Sequence, residues 1–161
     1  MNAEFKKKWI ALITSGLIIM TAGLVWLKHS QKPGLKINCS TIIHYDHAKP
    51  DHISTLEFTF RLESDFEGLV VLSGNIDTAT GRQTVSRNIT FDYDIKTPGE
   101  IVVSNMRHIK TARDTADDEI IKKSFFIVPD NSERQLRLNA TANAWLLGNP
   151  LSPFALCVNQ K

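Results

Sequence analysis

Nineteen consecutive residues without a charge, Trp9 to Leu27 (WIALITSGLIIMTAGLVWL), constrain this chain more than anything else in it. At a rise of about 1.5 Å per residue, a helix of that length covers roughly 28 Å, close to the ~30 Å hydrocarbon core of a bilayer. The segment is apolar on every side, unlike a surface helix of a soluble domain. Trp9 and Trp26 fall near its ends, where interfacial aromatics sit. Lys6, Lys7 and Lys8 precede it and Lys28 alone follows directly, so the positive-inside rule keeps the N-terminus in the cytoplasm and exports the rest. The rival reading is a cleaved signal peptide, whose apolar core runs to about 7–15 residues and ends at a small-x-small site. Here the longer core ends in Leu24-Val25-Trp26-Leu27-Lys28-His29, which offers no such site. The sequence therefore predicts a cytoplasmic N-terminus over 1–8, an uncleaved transmembrane helix over 9–27, a linker over 28–34, and a periplasmic β-rich domain over 35–161. Within the span, Ala11, Ser15, Gly16 and Gly23 read either as a helix-pairing stripe or as the ordinary small-residue content of a membrane helix.

Charge divides the chain in the same place. Residues 1–32 hold five lysines against one glutamate, while the remainder holds 14 basic and 16 acidic side chains. The overall charge of +2 thus belongs to the anchor, and the domain is slightly acidic. A domain of that balance, with scattered basic residues and no aromatic-basic interleaving, lacks the footprint of a nucleic-acid binder.

After Gln31-Lys32-Pro33-Gly34 the apolar pattern changes to alternation. Leu35, Ile37, Cys39, Thr41, Ile43 and Tyr45 share one strand face, and Leu56, Phe58, Phe60 and Leu62 another. Further strands are predicted over 67–77, 85–95, 100–109, 123–128, 134–140 and 153–158, with a short helix over 114–121 and a polar loop over 46–54. Ser73-Gly74 suggests a bulge. Seven or eight short strands joined by hairpin-length turns must close or stack to manage their edges. The expected fold is mainly β, one small antiparallel β-barrel or β-sandwich with a short helix, after a single transmembrane helix.

Cys39 and Cys157 lie in the first and last strands. In an oxidising compartment they invite a disulfide that fixes the last strand beside the first; the alternative is two separate buried thiols. Arg87 shares the apolar face of Val85, Ile89 and Phe91. It needs a carboxylate or several carbonyls, from a structural ion pair, from a strand end where it reaches solvent, or from a ligand or partner. His44, Asp46, His47, Asp51 and His52 are the most metal-like cluster, but they differ in strand phase and read as a solvated turn. Asp114, Asp117, Asp118 and Glu119 lack the glycine and spacing of a calcium loop and read as a charged helix start. There is no Gly-x-Ser-x-Gly elbow, phosphate loop or Cys-x-x-Cys, so no catalytic, cofactor or metal residue is assigned.

The Lys-rich start, the single span, and the segments LEFTFRL, GLVVLSGNI, VSRNITFDYDI and NPLSPFALCV resemble the FidL-like membrane protein family of enterobacteria. That resemblance implies a single-pass inner-membrane protein with no enzymatic activity. It implies a partner too: a membrane-spanning winged-helix transcriptional regulator resembling MarT, CadC or ToxR, which the chain stabilises or with which it co-senses a signal. The alternative is a membrane-tethered lipocalin-like domain that binds a small amphipathic ligand by itself.

An alkaline phosphatase fused after Lys161 is expected to be active, and a fluorescent protein at the same position, which folds only before export, dark. The reverse pattern would remove the anchor and the disulfide together.

Overall fold

A computed structural model describes residues 34–48, 51–124 and 132–160, together with 16–17, 19–21 and 23. The chain divides into two units, Met1–Pro33 and Gly34–Lys161. In the first, the described residues are helical, and Leu17, Ile19 and Met20 are 65%, 69% and 69% exposed. Among the described residues no helix is long and apolar enough to cross a membrane. Most of the span expected over 9–27 lies outside them.

The second unit is a closed antiparallel barrel of eight strands in chain order. They are β1 (Ile37–Ala48), β2 (Asp51–Leu62), β3 (Glu67–Thr78), β4 (Gly81–Thr97), β5 (Glu100–Lys110), β6 (Arg134–Ala140), β7 (Ala144–Gly148) and β8 (Pro153–Asn159), with one helix, α1 (Asp118–Ser124), between β5 and β6. Alternation drives the long strands. Phe58, Phe60 and Leu62 of β2, Val70 and Leu72 of β3, and Ile89, Phe91 and Tyr93 of β4 are all buried. Phe58 stacks beside Phe60 and Phe60 beside Phe91, with ring centroids 6.2 and 6.1 Å apart. Burying one such ring stabilises the fold by about 1.5–3 kcal/mol relative to leaving it exposed. Gly68, opposite Phe91 in the ladder, makes room for that ring: a Cβ at Gly68 would lie 2.1 Å from it.

Strand lengths are unequal. β1 pairs with β2 through all twelve of its residues, but with β8 only at Cys39↔Asn159 and Ser40↔Val158. On the other side, among the described residues, β6 faces β5 only at Glu100 to Val103. The short β6–β8 meander therefore bridges the long sheet β1–β5 at one end of the barrel. The disulfide Cys39–Cys157 crosses this seam inside the barrel, with its Cα atoms 5.3 Å apart and both residues fully buried.

The start of the barrel is clamped separately. The hydroxyl of Tyr93 lies 3.1 Å from the carbonyl of Leu35 and 2.7 Å from that of Glu63, sharing one proton between two acceptors. The Gly34 N–H donates to the Ser64 carbonyl at 3.2 Å. Phe66 closes the β2–β3 turn at φ +69°, a costly conformation for a bulky residue. Its ring lies 5.6 Å from that of Tyr93 and its carbonyl accepts from the Tyr93 N–H.

Several expectations need correction. The polar stretch 46–54 is mostly strand, not loop: β1 runs to Ala48 and β2 starts at Asp51, because the ladder continues without a shift through His47↔His52. The helix begins at Asp118 rather than Asp114. Asp117 caps it, accepting from the Glu119 N–H at 2.8 Å, while the Asp114 carboxylate is turned to β4. Lys123 belongs to α1, and the rest of the strand expected over 123–128 is either helical at Ser124 or outside the described residues. β7 was not expected, since AWLLG shows no alternation. Gly74 sits in an unshifted ladder rather than a bulge. Its φ of +149° and a would-be Cβ 2.2 Å from the Thr55 carbonyl reserve that position for glycine.

Reduction, or Cys39→Ser with Cys157→Ser, is expected to lower unfolding stability of the full chain in detergent by about 4–5 kcal/mol, the chain-entropy value for so long a loop. A double variant whose urea midpoint matches the oxidised protein would show that the seam holds without the bond.

Candidate functional site

Arg87 lies on the interior face of β4 and is only 3% exposed. The chain itself supplies its partners. Its Nε and Nη2 donate to the two oxygens of Asp114 at 2.8 and 3.1 Å, Nη2 also to the Ala116 carbonyl at 2.8 Å, and Nη1 pairs with Asp118 at 2.7 Å. The Asp114 side chain is fully buried and also accepts from the N–H groups of Ser86 and Ala116. Lys110 stands 3.6 Å from Asp114 and 3.3 Å from Asp118. Burial pushes the Asp114 carboxyl up, but the Arg87 guanidinium and the two N–H donors outweigh it, so the group stays below the usual carboxylate range. Asp118 is lowered likewise: burial opposes the shift, and hydrogen bonds from Lys110 and Arg87 produce it. Thr115 and Ala116 donate backbone N–H groups to the Thr84 carbonyl. The loop before α1 is thus laid along β4 and held there by the buried ion group.

The histidine-rich stretch is split by strand phase. His44 points outward, with Nδ1 2.9 Å from the Thr55 hydroxyl, and Asp46 is exposed. His52 is buried. The side chains of His47 and Asp51 lie outside the described residues. Among the described residues no three His, Cys, Asp or Glu side chains gather as a metal site. Of the four acids expected to crowd a helix start, Asp114 and Asp118 serve Arg87 and Asp117 caps the helix. Beside His52, Ser54 is fully buried and its hydroxyl has no hydrogen-bond partner.

A groove of about 380 Å³ runs over the outer face of β2–β5, between Arg61, Glu67, Leu69, Asp92 and Arg107. Its floor includes Asn105, held at φ +51° and donating to Asp92 at 2.7 Å, where β5 bulges against β4.

Beside the seam, next to the outward polar pair Ser40 and Gln160, apolar side chains are exposed. On β8, Leu156 is 53% and Val158 44% exposed, and Ile42 on β1 is 73% exposed. Leu146 of β7, the ladder partner of Leu156, is half-buried. β8 is thus apolar on both faces, with Ala155 and Cys157 inside. The signal for this surface stood in the sequence as PFALCVN, which is apolar in both strand phases. Nothing comparable announced Asp114 as the partner of Arg87, 27 residues away.

A family model described as "FidL-like putative membrane protein" matches residues 74–157, just over half of the chain. No curated protein matches the chain. No solved structure matches it either.

The matched residues contain the whole Arg87 group, whose weight is measurable. Asp114→Ala is expected to cost about 3–5 kcal/mol in chemical unfolding, because it takes the one fully buried carboxylate from the buried guanidinium. Lys110→Ala, at a 40% exposed side chain, should cost less than about 1 kcal/mol. Because the folded carboxyl of Asp114 is lowered, its contribution is complete above the unfolded value of about 3.9 and is lost as pH falls through the folded value. Stability should therefore stay level from neutrality to about pH 5 and fall below about pH 4, less steeply in Asp114→Ala. Equal acid profiles for the two proteins would remove the group from that role.

Proposed function

The chain belongs to the FidL-like family, and on that premise we propose that it is an inner-membrane-anchored periplasmic accessory protein that binds and stabilises a membrane-spanning transcriptional regulator. Residues 9–27 serve as an uncleaved, single-pass signal anchor with the N-terminus in the cytoplasm. The uncovered apolar side chains at Leu17, Ile19 and Met20 suit a helix whose solvent is lipid. The barrel acts outside the cytoplasm, without catalysis and without touching nucleic acid.

The observation that carries the reading is the set of exposed apolar side chains beside the seam. Ile42, Leu156 and Val158 keep between two-fifths and three-quarters of their surface in solvent. A strand that is apolar on both faces belongs between two packed layers. Here one layer is the barrel's own core, and a protein partner supplies the other. The partner's chemistry follows from the family resemblance: a single-span regulator with a cytoplasmic winged-helix domain and a periplasmic domain. The mechanism is linkage, since a ligand that binds only the folded regulator stabilises it, by about 2.7 kcal/mol at a hundredfold excess over Kd. The runner-up, a lipocalin-like domain holding a small amphipathic ligand, has one observation in its favour, the unpartnered hydroxyl of Ser54. The stacked Phe58, Phe60 and Phe91 occupy the interior further along β2 and favour the first reading.

Affinity purification of the tagged full chain from membranes should return a winged-helix membrane protein. The yield should fall at least about tenfold with Leu156→Asp and Val158→Asp together, the loss expected from breaking an apolar contact centre. Purifications that repeatedly lack any such regulator would dismiss the proposal.

A further inference from the structure

Four strands carry one row of side chains across the outer face of the barrel. Arg61 of β2 stands beside Leu69 of β3, Leu69 beside Thr90 of β4, and Thr90 beside Arg107 of β5. The next row is acidic: Glu67 pairs with Asp92, and Glu63 follows the end of β2. These side chains line the groove of about 380 Å³, a volume in the range of small-molecule sites. A cationic row thus lies next to an anionic one, and outward residues two apart on a strand are separated by about 7 Å. Arg61, Glu63, Glu67 and Arg107 are exposed, whereas Leu69 and Thr90 in the floor are half-buried.

The bulge in β5 puts Arg107 in that row. Ile101 and Val103 are buried inside the barrel, so strict alternation would turn Arg107 inward as well. Between the pairs Asp92↔Ser104 and Thr90↔Arg107, however, β5 holds one residue more than β4. The extra residue reverses the phase and delivers Arg107 to the outer face, the kind of re-aiming that bulges perform beside functional sites. Asn105 makes the kink at φ +51°, and its amide donates to Asp92 at 2.7 Å, which holds that carboxylate at the groove. Arg61 is steadied similarly: its Nε donates to Asn38 Oδ1 at 3.0 Å, leaving its two terminal nitrogens for another acceptor. Among the described residues, the side chains of Glu63, Glu67 and Arg107 make no ion pair or hydrogen bond.

We propose that this groove binds a small zwitterion of dipeptide length, with its carboxylate on Arg107 and its ammonium on Glu67 and Asp92. A guanidinium meets a carboxylate through two parallel N–H donors, and an ammonium has three donors for a pair of acids. Two residues of extended chain span at most about 7 Å, the separation of the two rows. Leu69, in the floor between the rows, offers apolar surface to the ligand's side chain. A simple anion would leave the acids unanswered, and a simple cation the arginines. The groove shares no residue with the exposed side chains beside the seam, so the inference does not depend on the proposed function.

The test uses the full chain in detergent micelles, titrated with the dipeptide alanyl-leucine and followed through the backbone amide NMR signals of Leu69, Thr90 and Asn105. The dipeptide should shift these signals to saturation. Acetylating its amine, or converting its carboxylate to the amide, should each weaken binding at least about tenfold, the weight of one charged hydrogen bond. Arg107→Gln should weaken the free dipeptide by a similar factor, yet bind the C-terminal amide as well as the unaltered chain does. Glu67→Gln should do the same for the acetylated form. Both side chains are exposed, so the variants fold as the parent does. Three results would overturn the proposal: no saturable shift, equal binding of free and capped dipeptides, or losses in the variants that ignore which end is capped. Tighter binding of inorganic phosphate or of glycerophosphoethanolamine than of the dipeptide would overturn it too, by making the groove an anion site or a lipid-headgroup site. No arm involves the regulator, so a failed co-purification and a failed titration stay distinguishable from each other.

Discussion

The covalent bond between Cys39 and Cys157 does what backbone pairing at the seam does too little of. A barrel abolishes sheet edges only when its last strand meets its first. Here that meeting consists of two ladder positions and the flanking Gln160–Asn38 hydrogen bond. The disulfide lies inside the wall, where its sulfurs are part of the core as well as the closure. Past Ser40, β1 continues beside β2 but, among the described residues, no longer beside β8.

The opposite flank solves its closure problem with charge. β5 runs past its partner β6, and the chain must turn back before β6 begins. The loop that makes this turn lies along β4 through backbone bonds from Thr115 and Ala116. The buried Arg87–Asp114 pair fixes it in place. An ion pair in a core adds little net stability compared with apolar packing, but once present neither partner can be lost alone. One flank of the barrel is therefore held by sulfur and the other by a buried salt bridge with its hydrogen bonds satisfied.

Much of this was legible in the sequence, and the gaps have physical causes. Alternation in LEFTFRL and VSRNITFDYDI exposed the central strands, because each has one apolar phase. The cysteine pairing followed from placing the two residues in terminal strands. β7 stayed hidden because both of its phases are largely apolar. The upper half of the β1–β2 hairpin was masked by polar residues, His52 and Ser54, that face the interior where periodicity expects apolar ones. The helix start was misplaced by four residues because Asp114, a plausible cap, is spent on Arg87 instead. The sequence raised the charge of Arg87 as a question and left three answers open, since nothing local reveals a partner 27 positions on. The short overlap of β1 with β8 was the least visible of all, because it is a property of register rather than of any residue.

The Tyr93 clamp has a mechanical meaning. The chain enters the barrel at Gly34 and Leu35, and both are tied to the β2–β3 turn before β1 begins. Tension arriving along the preceding residues is taken up by Tyr93 and the Ser64 carbonyl, much as a cable clamp spares the joint behind it. A pull on the chain ahead of Gly34 therefore reaches the Tyr93 and Ser64 contacts before it reaches Cys39 and Ser40.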